Sequence, residues 1–353
     1  MNGEPRFSSI EIQAFRGLKG LRLDGLSRVN VIVGRNNAGK TSVLEAVSAC
    51  CQPLNADAWL ALARRRGLNA PRQSNEALIT SLFPRGLFGR LDISLGYRRT
   101  ATPDQRWHLG AQLTEQTQIT DEPEAEPTRR VSTLSLAFGG ENRPPQTASF
   151  IPRPGENVPT QGTSEDTKVV SITPISHRAD AFNITMMAAL NPADRARVVE
   201  LLQRLDPAVE DFEVFDPSGG RNPGIRIWHG LLGEMPLNTF GDGFRRTLTC
   251  ALALIACRDG GVLLIDEIET AIHYSAQLDV YRWLVEACTD YDVQLFATTH
   301  SLEAIDALLE ATPNTPDLTF YRLYDVGQGL QVLRTAENEL RMLRTEWGQE
   351  VRG

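Results

Sequence analysis

Apolar and polar residues trade places with two different periods along this chain. Near the start they alternate in the manner of a strand. Ile10, Ile12 and Phe15 are the apolar beats of a run that Arg16-Gly17 breaks, and Leu21 and Leu23 mark a second short strand. Arg28–Val33 is a β-branched run, and Gly34–Lys40 is a loop bounded by glycines. From Thr41 the apolar positions Val43, Leu44 and Val47 follow the period of a helix. Strand, glycine loop and helix in that order open an α/β nucleotide-binding fold.

Strand-like runs return at Leu91–Tyr97, Trp107–Thr114 and Val131–Phe138. Residues 139–168 are rich in Pro, Gly, Ser and Thr and predict a long mobile loop, after which Lys168–Ile175 restores a strand. Asn191-Pro192 starts a helix that runs to about Leu205, with proline at its first position. From residue 237 the α/β rhythm resumes. A helix over Phe244–Arg258 stops at Gly260-Gly261, and a buried strand, Val262–Ile265, ends in Asp266-Glu267. A helix near Tyr274–Thr289 leads to a second buried strand, Val293–Thr299, ending at His300. Ser301 caps a helix to Leu309, strands follow at Leu318–Tyr324 and Leu330–Leu333, and a polar helix spans Ala336–Glu350.

Composition narrows the class. The 353 residues are 41% hydrophobic and 23% charged, ordinary for a globular protein with a real core. A net charge of −8 disfavours a protein that coats nucleic acid over its whole surface. The average hides a local excess. Residues 51–110 carry nine arginines against four acids, a net of +5, which leaves −13 for the remainder. Arg64-Arg65-Arg66 within it reads first as a solvated helix face. The five cysteines form no C-x-x-C pair and read as reduced core residues. The N-terminus lacks the apolar core of a signal peptide, and no apolar run approaches the ~20 residues of a membrane span. The expectation is a cytoplasmic protein.

Four strings carry chemistry. Gly34-Arg35-Asn36-Asn37-Ala38-Gly39-Lys40-Thr41 fits G-x-x-x-x-G-K-[ST] and lies between strand and helix, the context that gives the motif meaning. Its N–H groups can cradle phosphates, Lys40 can reach the β/γ-phosphates and Thr41 can ligate Mg²⁺. Lys40 is one of three lysines among 36 basic residues. The buried strand ending in Asp266-Glu267 supplies a metal-side acid, Asp266, and a base for an attacking water, Glu267. His300 ends the neighbouring strand, where a neutral imidazole faces the same crevice. Gly241-Asp242-Gly243 turns into a helix whose N-terminus suits an anion.

In this order the strings resemble the ABC-type ATPase heads of the SMC and RecF superfamily, above all the overcoming-lysogenization-defect (OLD) ATPases. The matching residues are Gly34–Ser42, Ile265–His273 and Thr298–Ser301, and the likeness covers residues 1–50 and about 170–335. The resemblance implies an α/β P-loop head with a mixed sheet, containing a helical dimerisation-type subregion over about 176–236. Residues 51–169 would form an inserted Arg-rich, strand-containing lobe, and 336–353 a C-terminal helix. It implies ATP and Mg²⁺ as cofactors, and a head-to-tail homodimer, or a higher homo-oligomer, in which Gly241–Gly243 completes the partner's site. Gly241 stands where that superfamily has a serine, so a backbone N–H would replace the hydroxyl. Ser176–Asp180 is the expected loop touching the nucleotide site. Many OLD proteins carry a C-terminal TOPRIM nuclease. Only about fifty residues follow Ser301 and they hold no D-x-D, so the nuclease is expected to be absent.

Three functions stand on this reading. One is an ATP-hydrolysing dimeric switch controlling a separate effector, a nuclease or toxin, in anti-phage defence. Another is an ATP-locked scaffold that sequesters an effector with little role for turnover. The third is a RecF-like DNA-binding ATPase in repair, using the arginines from Arg64 to Arg106.

Overall fold

The computed structural model describes residues 4–65, 75–84, 90–119, 128–141, 143–151, 163, 166–216, 223–312, 317–325, 327 and 329–345. Strands β1 (Phe7–Phe15) and β2 (Leu18–Asp24) form a hairpin, and β3 (Val29–Gly34) leads through the glycine loop into α1 (Lys40–Cys51). Two short helices follow, α2 (Ala56–Arg64) and α3 (Asn75–Thr80). Then come β4 (Arg90–Arg99), β5 (Thr102–Ile119), β6 (Thr128–Gly140) and β7 (Gln146–Phe150). These join the first hairpin in one antiparallel sheet of order β2-β1-β4-β5-β6-β7. The strands of segment 51–169 therefore continue a sheet that residues 7–24 begin. The loop expected over 139–168 contains β7, and residues 152–162 of it lie outside the described residues.

β8 (Val169–Ile172) leads by a single turn at Ser176–Arg178 to α4 (Asp180–Met187) and α5 (Pro192–Gln203). Asn191 caps α5 in a reciprocal capping box with Asp194. The expected helical subregion is helical only in this first half. Its second half is an antiparallel sheet of β9 (Val209–Phe215), β10 (Gly224–His229) and β11 (Gly233–Pro236). The reason is a period of two: Ile225, Ile227 and His229 are buried while Trp228 between them is exposed.

The rest is α6 (Asp242–Ala256), β12 (Val262–Ile265), α7 (Tyr274–Asp290), β13 (Gln294–Thr299), α8 (Leu302–Ala311), β14 (Leu318–Asp325), β15 (Leu330–Ala336) and α9 (Glu337–Thr345). Residues 346–353 of the expected final helix lie outside the described residues. The central sheet has the order β15-β14-β3-β13-β12-β8, parallel except for its edge strand β15. Every residue of β3, β12 and β13 is buried, as both-face coverage of a parallel sheet demands. Val29, Val31 and Val33 pack into the core of α5 to α8, whereas Ile32 faces α1 and the antiparallel sheet. Among the described residues no helix is long and apolar enough to cross a membrane.

Candidate functional site

Parallel register brings the C-terminal ends of β3, β13, β12 and β8 to one edge, the place where open α/β sheets bind ligands. The loop after β3 exposes Arg35, Asn36 and Asn37, with Asn37 left-handed at φ 63°. Ala38 N–H donates to the Arg35 carbonyl at 3.2 Å, closing the turn. Gly39 is left-handed at φ 88° and caps α1 without a side-chain bond, so the first N–H groups of the helix point into the loop. A Cβ on Gly34 would lie 2.8 Å from the Leu323 carbonyl, so β14 leaves room only for glycine there. Lys40 Nζ spans the loop, donating to the Gly34 carbonyl at 2.7 Å and the Arg35 carbonyl at 3.0 Å. Burial pushes this ammonium down from its ordinary pKa, and the carboxylates of Asp266, Glu267 and Glu269 pull it back up. Ser42, one residue beyond Thr41, is buried in the first turn of α1.

The acid-ended strand arrives beside this loop. Thr41 Oγ1 donates to Asp266 Oδ2 at 3.0 Å, and Thr298 Oγ1 donates to Asp266 Oδ1 at 2.6 Å. Asp266 N–H continues the ladder to the Ile172 carbonyl at 2.9 Å. The next residue leaves the strand in a left-handed conformation: Glu267 has φ 50°, strained for a residue with a side chain. Its N–H donates to Thr298 Oγ1 at 2.8 Å, and its carboxylate accepts from Thr270 Oγ1 at 3.1 Å. A cleft of about 260 Å³ lies against Thr41 and Asp266, walled by Thr173, Pro174 and Ile175. A larger cleft of about 880 Å³ runs along Arg35–Gly39, between Leu18 and Tyr324.

His300 stands at the end of β13 with its ring half-exposed, and its Nδ1 lies 2.9 Å from Glu269 Oε1. The His300 N–H reaches the same oxygen at 3.0 Å. Gly241–Gly243 begin α6, as expected. Asp242 is held by Arg178 at 2.9 Å, and hydrogen bonds from Arg178 keep its carboxyl below the usual range. Ser176–Asp180 therefore reaches the Gly241–Gly243 turn, whereas Thr173–Ile175 line the cleft at Asp266. A Cβ on Gly243 would lie 2.8 Å from the Ala271 carbonyl, so this turn packs on the turn that follows Asp266-Glu267.

Three contributors escape motif reading. Thr298 is the hub hydroxyl between Asp266 and Glu267, and the Thr-Thr-His string was its only signal. Glu269 orients His300, and its spacing of two from Glu267 gives no warning of it. Arg246 is fully buried and donates to the carbonyls of Thr173, Asp266 and Glu267. Its helix also carries Asp242, Arg245, Thr247 and Thr249, so the sequence does not single it out. Five arginines of the basic segment have partners within the chain: Arg64 with Asn75, Arg65 with Ser48, Arg98 with Pro103, Arg99 with Tyr97 and Arg106 with Glu11. Arg66, Arg72 and Arg85 lie outside the described residues.

Comparison with known proteins agrees with this arrangement. Residues 29–306 match the family model described as "AAA domain, putative AbiEii toxin, Type IV TA system". An ATP/GTP phosphatase of Helicobacter pylori is 22% identical over 339 residues, 85% of this chain and 86% of that protein. An uncharacterised protein of Methanocaldococcus jannaschii is 34% identical over 116 residues, 32% of this chain and 99% of its own length. Among solved structures, an SMC head bound to the C-winged helix domain of ScpA aligns with a TM-score of 0.52 at 11% identity. That alignment covers 95% of this chain and 100% of the SMC head, a likeness of fold. The matched span runs from β3 to α8 and takes in the phosphate loop, α6, the acid turn and His300, and the chain belongs to this AAA-domain family.

Proposed function

We propose that the chain is an ATP- and Mg²⁺-dependent switch that closes head to tail around two nucleotides. Hydrolysis would reopen it and so control a separate effector, a nuclease or toxin, in bacterial anti-phage defence. The observation that carries the reading is the Thr41–Asp266 contact at 3.0 Å, which joins the phosphate loop to the acid-ended strand across 225 positions. The donor set suits Mg²⁺: a hydroxyl and one carboxylate, hard oxygens that leave further positions to phosphate oxygens and water. Bound there, the metal would neutralise charge on the β- and γ-phosphates.

The chain's own residues would do the rest. Lys40 would exchange its two loop carbonyls for phosphate oxygens, with the loop N–H groups around them. Glu267 would orient the attacking water and take its proton, and the strained turn would aim its carboxylate. His300, its Nδ1 occupied by Glu269, would present Nε2 to the water or the γ-phosphate. The cleft beside Arg35–Gly39 is large enough for base and ribose. Among the described residues Asp242 is held by Arg178, His177 and Arg245 and not by the phosphate loop, which supports service to a second chain's nucleotide. The effector and the defence role draw support from the OLD resemblance and from the description of the matched AAA-domain family, which names a putative toxin.

Glu267→Gln tests the mechanism. Turnover should fall about 100-fold or more, the scale of a lost general base. The variant should accumulate as a closed dimer in ATP by light scattering. Turnover at the wild-type rate would overturn the reading.

A further inference from the structure

The β9–β11 subregion carries a surface that the nucleotide site does not use. β9 pairs with β10 alone, so among the described residues its other edge has no strand beside it. A cleft of about 600 Å³ runs along that edge, walled by α5 and the end of α4. Its floor is apolar, made by Met187, Leu190, Val199 and Phe212. Its rim is acidic: Glu200, Glu210, Asp211 and Glu213 stand against one basic residue, Arg195. Asp211 is answered by Arg195 at 2.7 Å and Glu213 by Arg226 at 2.8 Å. Glu200 and Glu210 are exposed, and neither forms an ion pair among the described residues.

The edge still offers backbone groups. Phe212 N–H donates to Asp211 Oδ1 at 2.8 Å and its carbonyl accepts from Arg195, so Phe212 turns its backbone away from β10. Backbone direction in an antiparallel strand repeats every second residue, so Val214 faces the same way. Val214 is 43% exposed at the end of the edge, and the adjacent Phe215, 40% exposed, has the Arg226 guanidinium over its ring. A long charged side chain laid across an edge is a usual guard against unwanted strand pairing, and Arg195 fills that place.

We propose that this cleft docks an extended, lysine- or arginine-bearing segment of a partner protein as a further strand on β9. Arg195 leaves the Phe212 carbonyl as the segment enters. Main-chain hydrogen bonds to the edge supply affinity, and alternate side chains reach the apolar floor. Its basic residues answer Glu200 and Glu210, whereas an acidic segment would be repelled. The inference does not rest on the nucleotide reading.

Fluorescence anisotropy of the full chain with a labelled peptide of alternating lysine and valine tests it. Binding should weaken about tenfold when Glu200→Lys and Glu210→Lys are combined, because two attractive rim charges become repulsive. It should tighten several-fold in Arg195→Ala, and vanish for a peptide of the same charge with alternate amides methylated. Nucleotide turnover at the wild-type rate in each variant checks that the chain is folded. Equal binding of the methylated peptide would reveal charge attraction alone and overturn strand addition. Equal binding by the double lysine variant, preference for a glutamate–valine peptide, or no binding to the wild type would each overturn it as well.

Discussion

Arg246 offers the sharpest test of how the acid turn is built. Its side chain has 0% exposure and no carboxylate pairs with it among the described residues. It donates instead to three carbonyls: Thr173 after β8, and Asp266 and Glu267 after β12, the last two at 3.0 and 3.2 Å. Arg246→Met fills much of the same volume and removes every donor. The Thr173 and Glu267 carbonyls keep the Ser176 and Thr270 N–H groups, so only the Asp266 carbonyl is left unpaired, at about 1–3 kcal/mol, and the two other lost bonds add about 0.5–1.5 kcal/mol each. Removing a buried cation returns part of that in desolvation, which brings the net loss to about 1–3 kcal/mol. That is a measurable part of the ~5–15 kcal/mol by which domains are stable. The loss also has a local address. Glu267 is held at φ 50°, a conformation costing about 1–3 kcal/mol that persists only when its surroundings over-determine it. Without Arg246 the turn can relax, and the Glu267 carboxylate leaves its position. Urea unfolding should therefore show a lower midpoint at unchanged slope. Nucleotide turnover, measured well below that midpoint, should fall with it. An unchanged midpoint with wild-type turnover would refute the reasoning, since the buried Asp266 carbonyl would then have lost its donor at no cost.

Two further outcomes follow from named contacts. Glu269→Ala frees the His300 ring from its orienting carboxylate, so the maximal rate of nucleotide turnover should drop about tenfold or more while nucleotide affinity holds, as for other outer-shell partners of a site histidine; steady-state kinetics with an equal fall in affinity would contradict an orienting role. Burial pushes the Cys50, Cys257 and Cys288 thiols up to about 12, so the unfolded chain sheds these protons first as pH passes about 9. The stability they allow is intact below pH 9 and declines above it by about 1.4 kcal/mol per thiol per pH unit, about 4 kcal/mol in all at pH 10; an unfolding midpoint unchanged between pH 8 and pH 10 would contradict it.

The parts of the site that sequence exposes are those in which chemistry dictates residue type locally. Gly34–Thr41 must combine two glycines, a lysine and a hydroxyl within one turn, and the surrounding strand and helix announce themselves by period. Val262–Glu267 is legible because a strand buried on both faces cannot hide its apolar run or the acids that end it. What stayed hidden depends on distant pairing. Arg246 contacts carbonyls, and a carbonyl belongs to every residue, so no sequence string names its partners. Glu269 and His300 are 31 positions apart and meet only because β12 and β13 are parallel neighbours. The β9–β11 sheet was legible in Ile225, Ile227 and His229, and the family resemblance overrode that local period with an expectation of helix. Fold likeness predicts the layers better than it predicts what a subregion builds on them.

The beginning of α6 is tied at two points, and this bears on how nucleotide chemistry can be felt at the far turn. On one side Arg178 and Arg245 hold Asp242, anchoring the Gly241–Gly243 turn to the segment after β8. On the other, Arg246 grips the carbonyls of Asp266 and Glu267, and Gly243 leaves no space for a Cβ against Ala271. The segment after β8 is fixed to the same arginine through Thr173. A displacement of the Asp266-Glu267 turn cannot be absorbed by side-chain rotation alone, because its contacts to α6 are backbone carbonyls held by one buried guanidinium. The interior is close-packed, so such a turn moves between discrete arrangements and takes α6 with it. The residues proposed to sense one nucleotide and those proposed to complete the second site thus sit on one mechanical unit. Arg246 is its pivot, three residues after Gly243 and bonded to the Asp266 and Glu267 carbonyls, and a lysine there would keep the charge but lose the fork that holds three carbonyls at once.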